Sequence, residues 1–149
     1  MSASPAASHQ LARSSRLAPA AAPARDTILI VEDDECIAGL LRLLLAPLAA
    51  RVLRARDGAE ALQLFQGDAR AIALVLMDCG LPDAHGDALC LRLRNSAPGL
   101  PLLLTSGRAQ PAVVDLLAAD GPTAFLAKPF RPGEAVQHVR ALLAARAAA

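Results

Sequence analysis

Tryptophan and tyrosine are missing from this 149-residue chain, and phenylalanine occurs only three times. A surface that reads single-stranded nucleic acid by stacking bases needs more aromatic rings than that. A large excess of charge is also missing: 15 basic against 14 acidic residues leave a formal net charge of +1. A broadly basic nucleic-acid binder is therefore not expected. No segment reaches the ~18–20 consecutive apolar residues of a membrane-spanning helix, so no membrane partner is expected either. The three cysteines, Cys36, Cys79 and Cys90, include no CxxC pair and are odd in number. They read as reduced thiols in a reducing compartment, which points to the cytoplasm. Lysine is scarcest among the charged residues. Lys128 is the only one, all other basic side chains being arginine. A compact ammonium on a slim stem can occupy sites that a planar guanidinium cannot.

What is present is apolar: 54% of the residues are hydrophobic, enough for a core without disulfides or structural metal. Residues 1–25 stand apart, as an Ala/Ser/Pro/Arg-rich stretch holding no acid and a charge of +3 from Arg13, Arg16 and Arg25. Pro5, Pro19 and Pro23 interrupt any helix there, and the composition predicts a disordered tail or an extended start to the reading frame. The remainder carries 12 basic and 14 acidic residues, a net charge of −2.

From Thr27 onward the pattern alternates. Ile28–Val31 is a continuous apolar run, β-branched at three of its four positions, as in a strand buried on both faces. Residues 36–45 follow helical spacing, and Pro47 closes that helix. Arg51–Ala55, flanked by charge, predicts an edge strand, and a short helix follows around Ala61–Phe65. Three more buried runs lie at Ile72–Met77, Leu100–Leu104 and Ala124–Ala127. Helices are predicted near Asp87–Arg94, at Pro111–Ala118 and from Pro132 onward. Strict alternation of buried strand and helix predicts an α/β fold, a doubly wound five-stranded parallel sheet of flavodoxin-like order 2-1-3-4-5, over residues 26–146.

Ligands of such sheets bind at the carboxyl ends of the strands. The four buried runs are followed by Glu32, Asp33, Asp34 and Glu35, by Asp78, by Thr105 and Ser106, and by Lys128. Taken singly, each has a local explanation: acids cap helices, and hydroxyls bond their own backbone. Their joint placement on one rim is what points to a site. Two like charges ~4 Å apart at an effective dielectric of about 20 repel by roughly 4 kcal/mol, so clustered carboxylates call for a cation. Hard oxygen donors without nearby histidine or cysteine select Mg²⁺, or Mn²⁺. With an ammonium and a hydroxyl added, the rim can receive a tetrahedral anion, and the chemistry indicated is phosphoryl transfer to Asp78.

Four stretches carry a family likeness: residues 28–34 (ILIVEDD), 74–86 (LVLMDCGLPDAHG), 102–107 (LLLTSG) and 125–130 (FLAKPF). In this order they resemble the receiver domain of two-component response regulators. The resemblance implies that Asp78 accepts a phosphoryl group from a histidine kinase or a histidine phosphotransfer protein. It implies that Asp33 binds Mg²⁺ directly and Glu32 through water, with Asp78 and the backbone carbonyl of Gly80 completing the protein ligands. Thr105 corresponds to the switch hydroxyl, Lys128 to the phosphate-contacting lysine, and Lys128–Pro129 to a cis peptide. Phe125 takes the place of a rotating aromatic that reports to the face built from the last two helices and strands. Self-pairing through the last strand and last two helices is a further implication. Gly80 and Gly107 are bare where relatives more often carry side chains, which predicts an open site that hydrolyses its aspartyl phosphate readily or admits a bulky partner. Cys79 reads as a small core residue, and His85 and His138 receive no role.

No helix-turn-helix pattern follows the last helix, so the output expected is protein–protein contact with an unidentified downstream protein, as a relay, a kinase modulator or a receiver of a hybrid kinase. Self-dephosphorylation is the only enzymatic activity expected. Two rival functions differ from this one in the residues they require. A Mg²⁺-dependent phosphatase with an aspartate nucleophile would want a second acid where Gly80 stands. A pseudo-receiver that only binds partners would not need Asp78, Thr105 and Lys128 together.

Overall fold

The computed structural model describes residues 26–109 and 111–148. The stretch expected to be a tail, residues 1–25, lies outside them. Five strands, β1 (Thr27–Val31), β2 (Arg51–Ala55), β3 (Ile72–Asp78), β4 (Leu102–Ser106) and β5 (Thr123–Ala127), form one sheet in the order β2-β1-β3-β4-β5. Every neighbouring pair is parallel. The helices are α1 (Glu35–Leu45), α2 (Gly58–Asp68), α3 (Gly86–Ser96), α4 (Pro111–Ala118) and α5 (Pro132–Ala147). This is the doubly wound order the alternation predicts.

The continuous apolar runs have a direct cause. Side chains alternate across a strand, and both faces of this sheet are covered. Leu29, Val31, Val75, Met77, Leu102 and Leu104 pack with Phe65 of α2, Leu89 and Leu93 of α3, and Leu117 of α4. Ile28, Ile30, Leu74, Leu76 and Leu103 face Leu41 and Leu45 of α1 and Val139 and Leu142 of α5. The strand β3, central in the sheet, is buried at all seven positions.

Three boundaries differ from the sequence reading. The chain beyond α1 does not simply stop at Pro47 but continues as one 3-10 turn, Ala46–Leu48, with the proline in its first turn. The third buried run becomes strand only from Leu102: Pro101 accepts Val75 N–H at 3.0 Å through its carbonyl but has no N–H to give, and the ladder toward β5 opens with Leu102 N–H donating to Pro122 O at 3.0 Å. Thr105 and Ser106 consequently belong to β4 itself. The run Ala124–Ala127 lies on an edge strand in which only Leu126 is fully buried. Its apolar residues still meet both layers, Ala124 and Leu126 on the α1–α5 side and Phe125 on the other, but at the sheet edge most of them stay partly exposed.

Candidate functional site

The carboxyl ends of β1, β3, β4 and β5 deliver the predicted residues to one rim. Glu32 follows β1, its own N–H donating to Ala55 O at 3.1 Å, which continues the ladder one residue past the strand. Asp78 is the last residue of β3, opposite Thr105 of β4. Lys128 follows β5 and donates its N–H to Ser106 O at 2.8 Å. The Lys128–Pro129 peptide is cis.

The lysine amine binds two carboxylates at once, Glu32 Oε2 at 2.8 Å and Asp78 Oδ2 at 3.2 Å. Each acid has a second anchor in the backbone. Glu32 Oε1 accepts the N–H of Asp34 at 3.2 Å, and Asp78 Oδ1 accepts that of Gly80 at 2.9 Å. Glu32 and Asp78 are buried, at 1% and 6% exposure, whereas Asp33 is open to solvent. Carboxylate oxygens of Glu32, Asp33 and Asp78 all lie within 4.8 Å of one another. Three acids against one ammonium leave a surplus of negative charge in a half-buried cleft. The donors are all oxygens, and one acid faces water; both features fit a hard divalent cation that keeps part of its hydration shell.

Burial pushes the Glu32 carboxyl above its ordinary range; the Lys128 hydrogen bond opposes this, and the neighbouring Asp78 charge adds to it. Burial disfavours the charged Lys128 amine, but the hydrogen bond to Glu32 and the charges of Glu32 and Asp78 outweigh it, so the amine is held above its usual value. The lysine is thus a fixed cation, and the acids compete for too little positive charge.

Not every expected residue points at Asp78. The Thr105 hydroxyl is buried and donates to Met77 O at 3.4 Å, a long bond. Phe125 is half-buried against the core on the α2–α3–α4 side of the sheet. Cys79 is pushed up to about 12 by burial and by the charge of Asp78, so it remains a thiol, in keeping with a small core residue. Asp34 and Glu35, grouped with the acids in the sequence, belong to α1 instead: Asp34 caps it by accepting the Ile37 N–H at 3.0 Å, and Glu35 occupies its first turn. A β-carbon at Gly80 would touch only Asp78 Oδ1, at 3.4 Å, and one at Gly107 would touch nothing within 4 Å. The rim is open at both places.

Sequence reasoning missed Arg54. From β2 its guanidinium donates to the backbone carbonyls of Glu32, at 3.3 Å, and Asp33, at 3.1 Å. It clamps the acidic segment from the flank. The available signal was an arginine beside apolar Val52 and Leu53 in an otherwise half-buried strand.

The family described as response regulator receiver domain matches residues 28–140, and the chain belongs to it. The family is one of signalling domains rather than classical enzymes. Among curated relatives, the transcriptional regulatory protein CseB of Streptomyces coelicolor is 34% identical over 116 residues, covering 78% of this chain and 48% of that protein. The response regulator MprA of Mycobacterium ulcerans is 37% identical over 118 residues, covering 78% and 49%. The chain therefore spans about half the length of these relatives. Among solved structures, a CheY-like receiver domain protein from Methanospirillum hungatei JF-1 superposes with a TM-score of 0.73 at 24% identity, covering 83% of this chain and 97% of that one, a likeness of fold. The receiver domain of NtrX from Brucella abortus gives 0.68 at 25% identity, covering 78% and 98%. Among the described residues, no helix is long and apolar enough to cross a membrane.

Proposed function

We propose that this chain is a phosphorylatable receiver, taking a phosphoryl group on Asp78 from the phosphohistidine of a histidine kinase or phosphotransfer protein. The observation that carries the reading is the single ammonium of Lys128 shared by Glu32 and Asp78, with Asp33 in the same cluster. In the transfer, a carboxylate oxygen of Asp78 forms a bond to phosphorus as the phosphorus–nitrogen bond breaks, and the donor imidazole leaves with the electron pair. Lys128 meets the charge on the phosphoryl oxygens. The Thr105 hydroxyl, held among the described residues by a long 3.4 Å bond to Met77 O, turns toward them. Glu32, Asp33, Asp78 and the Gly80 carbonyl would hold Mg²⁺ or Mn²⁺, which when bound offsets negative charge on the carboxylates and the incoming phosphoryl group.

Once Asp78 carries the phosphoryl group, a turned Thr105 hydroxyl vacates space beside β5, and Phe125 moves inward to fill it. Having no hydroxyl, Phe125 signals by packing alone, onto the face of α4, β5 and α5. That face is where a downstream protein or a second copy of the chain binds.

The test is incubation with acetyl phosphate and Mg²⁺, followed by intact mass and peptide mapping. A phosphoryl adduct on Asp78, absent from Asp78→Asn, is expected. Turnover of acetyl phosphate with no adduct would make the chain a phosphatase, and no reaction at all would make it a binding module.

A further inference from the structure

The loop from Cys79 to His85 carries Gly80, whose N–H fixes one oxygen of Asp78. What fixes the loop is a carboxylate with no place in the machinery described so far. Asp83 reaches across to the start of α2, where Oδ1 accepts the N–H of Gly58 at 2.9 Å and Oδ2 that of Ala59 at 3.2 Å. A helix leaves its first four N–H groups without intrahelical partners. In α2 the N-cap residue Asp57 takes Glu60 N–H at 2.8 Å with its side chain, and its carbonyl accepts the first intrahelical bond, from Ala61 N–H at 3.0 Å. The N–H groups of the first two helical residues are left to Asp83, 25 and 24 residues further along the chain.

The two segments are also shaped to meet. A β-carbon on Gly58 would lie 2.8 Å from Ala84 Cβ, so the loop approaches α2 this closely only over a glycine. At its far end, a β-carbon on Gly86 would lie 2.6 Å from Cys79 Cα and 2.7 Å from Asp78 O. The loop is therefore folded tightly back on the acceptor strand, while its outer turn is tied to α2 through Asp83.

We propose that Asp83 is a positioning residue for the Asp78 site: it straps the loop to the N-terminus of α2 and so holds Gly80 against Asp78, keeping the Gly80 carbonyl in place for the divalent ion. This rests on the receiver reading above for its metal-binding consequence, but not for the strap itself. The positive end of the α2 dipole attracts the carboxylate, which makes the tie stronger than two neutral hydrogen bonds.

The experiment uses the full chain and compares Asp83→Ala and Asp83→Asn with Asp57→Ala. The last variant removes a cap from the same helix without touching the loop, and so reports the cost of weakening α2 alone. Two quantities are read well below the melting temperature of every variant: amide hydrogen exchange of peptides covering residues 79–85, and binding of Mn²⁺ alone, followed by the loss of its free-ion paramagnetic resonance signal. Asp83→Ala is expected to speed exchange across the loop and weaken Mn²⁺ binding roughly tenfold, the scale on which partners behind metal ligands act. Asp83→Asn, which keeps one acceptor oxygen, falls between. Asp57→Ala is expected to leave loop exchange and Mn²⁺ affinity at wild-type values. Unchanged loop exchange in Asp83→Ala, or the same change in Asp57→Ala, overturns the proposal. If the wild type binds no Mn²⁺, the metal reading fails, and the exchange data alone decide the strap.

Discussion

Lys128 and Gly80 act on Asp78 from opposite sides, and they do so by opposite means. The lysine supplies charge: its amine lies within 3.2 Å of both buried acids, a space in which a guanidinium fork would have to displace one of them. The glycine supplies a backbone donor and an absence of bulk. Beyond its own 3.4 Å approach to Asp78 Oδ1, a β-carbon at position 80 would meet no neighbour within 4 Å, so a longer side chain could extend over the acceptor without disturbing the core. Water attacking an aspartyl phosphate must come through such an opening. Gly80→Met is therefore expected to lengthen the phosphoryl lifetime about tenfold, equivalent to ~1.4 kcal/mol on the hydrolytic barrier. Purified phosphoprotein, freed of donor and followed over time on a phosphate-affinity gel, measures this; equal lifetimes for the two proteins would show that the open rim does not limit stability of the adduct. At this scale the candidate site was legible in the sequence because each of its residues ends a buried run. Arg54 and Asp83 were not, because each acts on backbone atoms of a segment distant in sequence, and no local spacing records such a bond.

Elements meet here through glycine and arginine where bulk or charge would otherwise forbid it. Gly86 opens α3 directly against the backbone of Asp78 and Cys79, with no room for a β-carbon. Arg94 of α3, only 2% exposed, donates to Leu117 O at the end of α4 at 2.6 Å, and to Pro122 O and Thr123 Oγ1 just beyond, at 3.2 and 3.0 Å. Among the described residues no carboxylate bonds it directly; the carbonyl end of α4 and the nearby charge of Asp120 balance its own. Gly121, at φ +154°, gives it space, since a β-carbon there would stand 2.7 Å from its Nη1. Of the two glycine contacts, the one at Gly86 is the less forgiving, because backbone cannot rotate away as a side chain can. Gly86→Ala is expected to lower the unfolding free energy by about 2–3 kcal/mol, within the range for overpacking a filled interior, as read from the midpoint of urea denaturation at unchanged slope. A midpoint matching the wild type would mean that the loop yields freely. The positions of the helices followed from apolar period and turn residues. The limits of β4 and the edge character of β5 did not, because the hydrophobic pattern records burial, whereas pairing also depends on which residues can donate an N–H.

The molecule as a whole carries a conflict between its core and its rim. The sheet, covered on both faces, favours bringing the ends of β1, β3 and β5 together. Doing so crowds Glu32, Asp33 and Asp78 within 4.8 Å of one another around a single lysine. The fold must therefore hold the site against repulsion whenever no cation occupies it. Removing one acid relieves that repulsion and also removes the reason to bind a cation, so stability and ion response should move in opposite directions. Asp33 is the acid to change, since it is exposed and its loss disturbs no hydrogen bond to Lys128. In a chelator, Asp33→Asn is expected to melt above the wild type. With Mg²⁺ at a hundredfold over its dissociation constant, the wild type gains about 2.7 kcal/mol by preferential binding to the folded state. That corresponds to a rise of roughly 8 °C for a domain of this size, while the variant stays where it was. The two melting curves then exchange order on adding magnesium. Paired thermal melts by circular dichroism, with and without the ion, decide the matter: a variant that melts below the wild type in both conditions would mean that Asp33 supports the fold through contacts rather than straining it through charge.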